Sequence, residues 1–188
     1  MNHSEAADRA GWPQALAFLE KQGKALYGQH FQVYAQDHAL LYRLWVYMLG
    51  RQAEAARLGL SLRKGILLTG PVGCGKTSLM TLLRLFRPPA LRYPVVSCRE
   101  VSFAFRREGY EIIRRYSQPP AQVAPGAVPA LLLDDLGTES SLQYYGNTCN
   151  VVGEILLSRY DRFVQGKLLT HATTNLSSSE LEKVYGVR

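Results

Sequence analysis

The chain has 188 residues, 47% hydrophobic and 20% charged, a composition that excludes a disordered, collagen-like or multidomain chain. Twenty-two Lys and Arg against fifteen Asp and Glu give a net charge of +7, which favours polyanionic partners. No stretch approaches the ~20 uninterrupted apolar residues of a membrane helix, and Met1-Asn2-His3-Ser4-Glu5 lacks the basic-then-apolar pattern of a leader, so a cytoplasmic protein with no membrane partner is expected. Cys74, Cys98 and Cys149 are odd in number and share no metal-type spacing, so they are expected to be buried thiols rather than a disulfide framework or zinc site.

In chain order, residues 1–60 read as a helical extension, with apolar positions at Leu16, Leu19, Leu26, Tyr34, Leu41, Leu44, Trp45 and Met48 at helical steps. Leu40 to Leu49 is nearly all apolar, which predicts a helix buried on most sides and assigns Tyr42, Trp45 and Tyr47 to a core. After Gly59 the pattern changes to short apolar runs at Gly65 to Thr69, Val95 to Val101, Ala130 to Leu133 and Leu168 to Thr174. Helical patterns at Lys76 to Phe86, Gly109 to Tyr116 and Val151 to Phe163 separate them, so residues 61–188 are expected to form an α/β core on a mostly parallel sheet. Pro119, Pro120, Pro125 and Pro129 predict a loop before the third run.

The segment Gly70-Pro71-Val72-Gly73-Cys74-Gly75-Lys76-Thr77 fits G-x-x-x-x-G-K-[ST] and lies between a strand pattern and a helix pattern. Glycines let such a loop wrap its backbone N–H groups around phosphates, the following helix adds its positive end, and Lys76 reaches the β and γ phosphates. ATP is the expected ligand, bound by residues 70–77 and Ser78, with Thr77 placed to hold Mg²⁺. Ala130-Leu131-Leu132-Leu133 then delivers Asp134 and Asp135 to the same sheet edge. Because neighbouring side chains there point in different directions, Asp134 is assigned to the Mg²⁺ shell and Asp135 to activating the attacking water. Thr173-Thr174-Asn175 ends the last strand, where the uncharged Asn175 amide could bond the γ phosphate or the water without repelling it. His171, inside that strand, is read as structural.

These segments, with Lys64-Gly65 before the loop, Leu136-Gly137 after the paired acids and Leu157-Ser158-Arg159-Tyr160, resemble the DnaC/IstB-like AAA+ ATPases over roughly residues 60–188. That family includes bacterial helicase loaders and the ATP-binding partners of transposases. The resemblance implies a three-layer phosphate-loop fold, Lys76 and Thr77 as nucleotide and Mg²⁺ contacts, Asp134 and Asp135 as a Walker B pair, and Asn175 as a sensor. It also implies a replicative helicase or transposase as partner and a nucleotide-dependent homo-oligomer. Relatives continue beyond the helix that Ser177 and Glu180 would cap into an arginine finger, a fifth strand and a lid. Residues 61–188 are therefore expected to be a C-terminally incomplete core, either a piece of a longer chain or a nucleotide-binding remnant. Arg159 or Arg162 of a neighbouring subunit would be the substitute finger, and Glu139 the substitute base.

Eight Arg and no Lys fall between residues 84 and 115: Arg84, Arg87, Arg92, Arg99, Arg106, Arg107, Arg114 and Arg115. Interleaved with Tyr93, Phe103, Phe105 and Tyr110, they suggest single-stranded DNA, against the plainer reading of a solvated face paired with Glu100, Glu108 and Glu111. Other readings compatible with the motifs are an AFG1-like ATPase, a nucleotide-switched interaction module without hydrolysis, and a small phosphate-loop kinase. Phe31 and Tyr34 are candidates for the adenine pocket.

Overall fold

A computed structural model describes residues 11–119, 128–139, 142–144, 147–166 and 168–186. The chain divides into two units, one made by the residues up to Arg63 with Ser78–Pro89, the other by Lys64–Thr77 with the residues from Ala90 onward.

The first unit is helical. Helix α1 (Trp12–Tyr27) starts at the left-handed Gly11 with a Pro in its first turn and ends at Gly28. A short 3-10 turn leads into α2 (His38–Leu49), closed by Gly50 at φ 66°, and α3 (Gln52–Arg57) follows. Tyr42, Trp45 and Val46 pack with Ala15 and Ala55, and a second cluster joins Leu19 and Leu41 to Leu82. Helix α2 is buried on most sides but not all, since Leu40 and Leu49 are exposed; outside it, Leu26 and Tyr34 are exposed as well. Tyr47 is part-buried, and that burial pushes its phenol up to about 12.

The second unit is built on a parallel sheet. Strand β1 (Leu67–Thr69) runs into the glycine loop, and helix α4 (Lys76–Leu83) begins at its lysine. Lys76 and Thr77 belong to this unit, Ser78 to the first. Strand β2 (Val95–Ser97) is followed by α5 (Cys98–Glu108) and α6 (Glu111–Ser117). Strand β3 (Ala130–Leu136) precedes an antiparallel pair, β4 (Leu142–Tyr144) and β5 (Asn147–Cys149). Helix α7 (Val151–Val164), strand β6 (Leu169–Thr174) and helix α8 (Ser178–Tyr185) complete it. The sheet order is β1-β6-β3-β2, all parallel. With a glycine loop joining its first strand to the next helix, this is a phosphate-loop α/β fold.

Leu131, Leu133 and Ala172 pack against Val101 and Phe105 of α5, Ile112 of α6, and Val152 and Ile155 of α7. Leu132, on the opposite face by alternation, is equally buried, so β3 reads as a continuous apolar run. Three side-chain caps start the helices: Ser97 for α5, Asn150 for α7 and the Ser177–Glu180 capping box for α8. Each such cap stabilises by about 0.5–2 kcal/mol.

All four expected strands have other bounds: the first begins at Leu67 and the last at Leu169, and the middle two differ further. The run Val95 to Val101 stops at Ser97, because Ser97 accepts the Glu100 N–H and turns the chain into a helix. Phe103 and Phe105 therefore sit on opposite sides of α5, Phe105 buried and Phe103 exposed, rather than on one strand face. The third run extends past Leu133 to Leu136, which puts Asp134 and Asp135 inside the strand. Residues 120–127, where most of the proline-rich loop falls, lie outside the described residues.

Candidate phosphate-loop site

The loop between β1 and α4 needs its glycines. Gly73 and Gly75 have φ of 80° and 85°, which side-chain-bearing residues rarely adopt. Upstream, a Cβ on Gly65 would stand 1.8 Å from the Thr170 carbonyl oxygen, so only glycine lets the chain pass beside β6 into β1. Pro71, Val72 and Cys74 are exposed on the loop. Cys74 is thus not the buried thiol expected. Cys98 is buried, its thiol pushed well up by burial and by the negative charges of Glu139, Asp134 and Asp135, and the Cys149 side chain lies outside the described residues.

Lys76 is buried, and its ammonium donates to the carbonyls of Gly70 and Pro71, both at 2.8 Å, and to Asn175 Oδ1 at 2.7 Å. An ammonium has donors only, so the amide oxygen of Asn175 must face it and the amide NH₂ is left as a donor. Lys76 and Asn175 are 99 residues apart, and the pairing of β1 with β6 brings them together. Thr77 Oγ1 donates to Asp134, 2.8 Å from one oxygen and 3.1 Å from the other.

The ladder between β3 and β6 slips at the acids. Leu133 pairs with Ala172 and Leu136 with Thr174, so Asp134 and Asp135 together face Thr173. Asp135 takes φ 57°, the only non-glycine positive φ among the described residues. This bulge separates the two carboxylates: Asp134 is buried against Thr77, while Asp135 is part-buried. Thr173 was not singled out as a site residue, yet its hydroxyl accepts the Asp135 N–H at 2.9 Å and donates to Asp134 at 2.7 Å. The only sequence signal for it was its place two residues before Asn175. Thr174 is buried and donates to the Leu136 carbonyl, tying the strand ends.

Other assignments change. Arg159 is 3% exposed and bonds Thr170 Oγ1 and the carbonyls of Tyr116 and Leu169 at 2.7–2.8 Å, with burial lowering its pKa to about 10. It braces α6, α7 and β6 and is withdrawn from any role toward a neighbouring subunit; Arg162 is part-exposed. Glu139, the substitute base, accepts from Gly137 N–H and from the Tyr185 hydroxyl, whose pKa burial and then this carboxylate push well up. It serves as a brace from α8 to the turn after β3. His171 is structural as read: buried, its Nδ1 accepts the Ile66 N–H. Phe31 stacks on Tyr27 in the first unit, and Tyr34 is exposed.

Of the aromatic residues between 84 and 115, Tyr93 is buried against His171 and Phe105 lies in the core, so neither can stack on a base. Phe103 and Tyr110 are 47% and 60% exposed. Arg99 lies over the Phe103 ring at 5.4 Å, Arg106 and Arg107 are exposed, and Arg114 and Arg115 pair with Glu111 and Glu108.

Among the described residues no group of three or more His, Cys, Asp or Glu could form a metal cage. Mg²⁺ does not require one: it keeps several waters and takes one or two protein ligands together with phosphate oxygens, which the Thr77–Asp134 pair fits. No described helix is long and apolar enough to cross a membrane.

No protein-family model matches the sequence, and no curated protein matches it. Among solved structures the chain is similar to C. elegans PCH-2, at 16% identity over 84% of this chain and 42% of that one, with a TM-score of 0.49. It is also similar to AMPPCP-bound DnaA from Aquifex aeolicus, at 19% identity over 83% of this chain and 46% of that one, with a TM-score of 0.46. This chain therefore spans less than half the length of either, and its fold class rests on its own strand order and glycine loop.

Proposed function

We propose that the chain is the ATP-binding part of an AAA+ ATPase of the DnaC/IstB-like kind, hydrolysing ATP to drive loading or remodelling of a partner on DNA. The observation that carries the reading is the meeting of Lys76 with Asn175, and of Thr77 with Asp134, at the C-terminal ends of β1, β3 and β6, where parallel sheets bind ligands. Lys76 binds the β and γ phosphates by exchanging part of its carbonyl contacts for phosphate oxygens. Thr77 and Asp134 hold Mg²⁺, which supplies charge neutralisation across the phosphates. Asp135 orients and deprotonates water, and Asn175 keeps its NH₂ toward the γ phosphate or that water.

The test is release of inorganic phosphate from Mg-ATP with no added acceptor. Release abolished by Lys76→Ala supports hydrolysis, whereas transfer only to an added small molecule would make the chain a kinase. Nucleotide binding without turnover, even when partner and DNA are supplied, would make it a switched interaction module.

The DNA partner is supported by the exposed Arg99, Phe103, Arg106, Arg107 and Tyr110 of α5 and the turn after it. Arg can fork to phosphates, and the two rings offer stacking faces. Single-stranded DNA affinity should fall as salt rises, and Arg106→Ala with Arg107→Ala should flatten that slope. Absence of binding at low salt with ATP present would assign this face to solvent or protein.

A further inference from the structure

We propose that Thr173 is a positioning residue for both carboxylates, a role that rests on the nucleotide reading above. Its hydroxyl has one proton to give and lone pairs to receive, and both functions are engaged. The proton goes to Asp134 Oδ1 at 2.7 Å, the same oxygen that Thr77 Oγ1 meets at 2.8 Å, so Asp134 is held between two hydroxyls. The lone pair takes the Asp135 N–H at 2.9 Å, a donor that the bulge has displaced from the regular ladder. Thr173 is fully buried, so water cannot replace either bond without opening the sheet.

One side chain thereby does two things. It fixes Asp134 opposite Thr77, and it holds the backbone of Asp135 in the left-handed conformation at the bulge. Such a conformation costs a non-glycine residue free energy and persists where surrounding bonds over-determine it. Only serine and threonine combine the small size with a hydroxyl that donates and accepts at once, so Thr173→Ser should preserve the arrangement and the isosteric Thr173→Val should lose it.

Two measurements test this. In the nucleotide-free chain, amide exchange at Asp135 should be slow in wild type and Thr173→Ser, and faster by about tenfold or more in Thr173→Val. In titrations, the gain in ATP affinity that Mg²⁺ brings should shrink on the order of tenfold in Thr173→Val and persist in Thr173→Ser, while Mg²⁺-free binding changes little. Should Thr173→Val fail to fold, the same exchange is read in Thr173→Val with Asp134→Asn, where no charged oxygen is left facing the valine. Unchanged Asp135 protection or unchanged Mg²⁺ gain in a folded valine variant overturns the inference. If wild type shows no Lys76-dependent ATP binding, the nucleotide reading fails, and the proposed double positioning falls with it, whatever the exchange shows of the bulge.

Discussion

Two carboxylates are buried among the described residues, and they keep different company. Glu54, 1% exposed in the first unit, accepts from the Tyr42 phenol at 2.7 Å and pairs with the Arg57 guanidinium at 2.7 Å. Asp134, 8% exposed in the second, is met by the hydroxyls of Thr77 and Thr173. A guanidinium cancels a negative charge, whereas a hydroxyl only solvates it. Glu54 is thus matched by a cation of its own chain, while the donors that meet Asp134 are neutral hydroxyls. The contrast separates a carboxylate that joins two helices of the first unit from one held by two hydroxyls at a strand end.

The contrast fails first if the site is inert, so the largest effect concerns its second acid. Asp135→Asn keeps size and hydrogen bonding but is a far weaker base; turnover should fall on the order of 10²–10⁴-fold with ATP binding retained, as steady-state phosphate release and nucleotide titration will show. Lys76→Ala should come next, lowering ATP affinity about tenfold to a hundredfold, or roughly 1.5–3 kcal/mol, with the circular dichroism spectrum unchanged. The two buried acids can then be set against each other by denaturant unfolding without nucleotide. Glu54→Ala leaves the Tyr42 hydroxyl without its carboxylate and should cost about 1–3 kcal/mol, whereas Asp134→Asn should stay within about 1 kcal/mol and show its effect in a weakened Mg²⁺ dependence of ATP binding.

A further effect, seen only at alkaline pH, belongs to the first unit. Tyr47 titrates near 12 when folded and near 10 when unfolded, so the unfolded chain releases its proton first as pH rises. Its stabilising share is complete below pH 10 and is lost as pH climbs through about 12. Part-exposure limits the loss to about 1–2 kcal/mol. Tyr47→Phe should remove that part of the alkaline decline, measured as the difference between the two unfolding curves.

Legibility in the sequence follows how local each cause is. The glycine loop, the paired acids and the Ser177–Glu180 cap are short-range patterns, and all could be read directly. Ser97 and Glu100 carried a cap signal of the same spacing, but the apolar run Val95 to Val101 outweighed it, and so helix α5 was missed. The bulge at Asp134–Asp135 arises from pairing with a strand nearly forty residues away, and no local pattern announces it. Arg159 and Glu54 were illegible for the converse reason: charged residues default to the surface, and only the packed partners around them reveal their burial.

Strand β1 carries the glycine loop, yet among the described residues it pairs on one side only, with β6, and Leu67 upon it is 53% exposed. A sheet edge with an uncovered leucine can take a strand from another molecule, and at three residues this one would do so weakly. Purified protein should accordingly self-associate as concentration rises, through a route that ignores nucleotide and survives Lys76→Ala. Assembly driven by ATP would respond to both. Light scattering with and without Mg-ATP, on wild type and Leu67→Lys, separates the adhesive edge from a functional oligomer, and the lysine variant gives the better-behaved sample for enzymology.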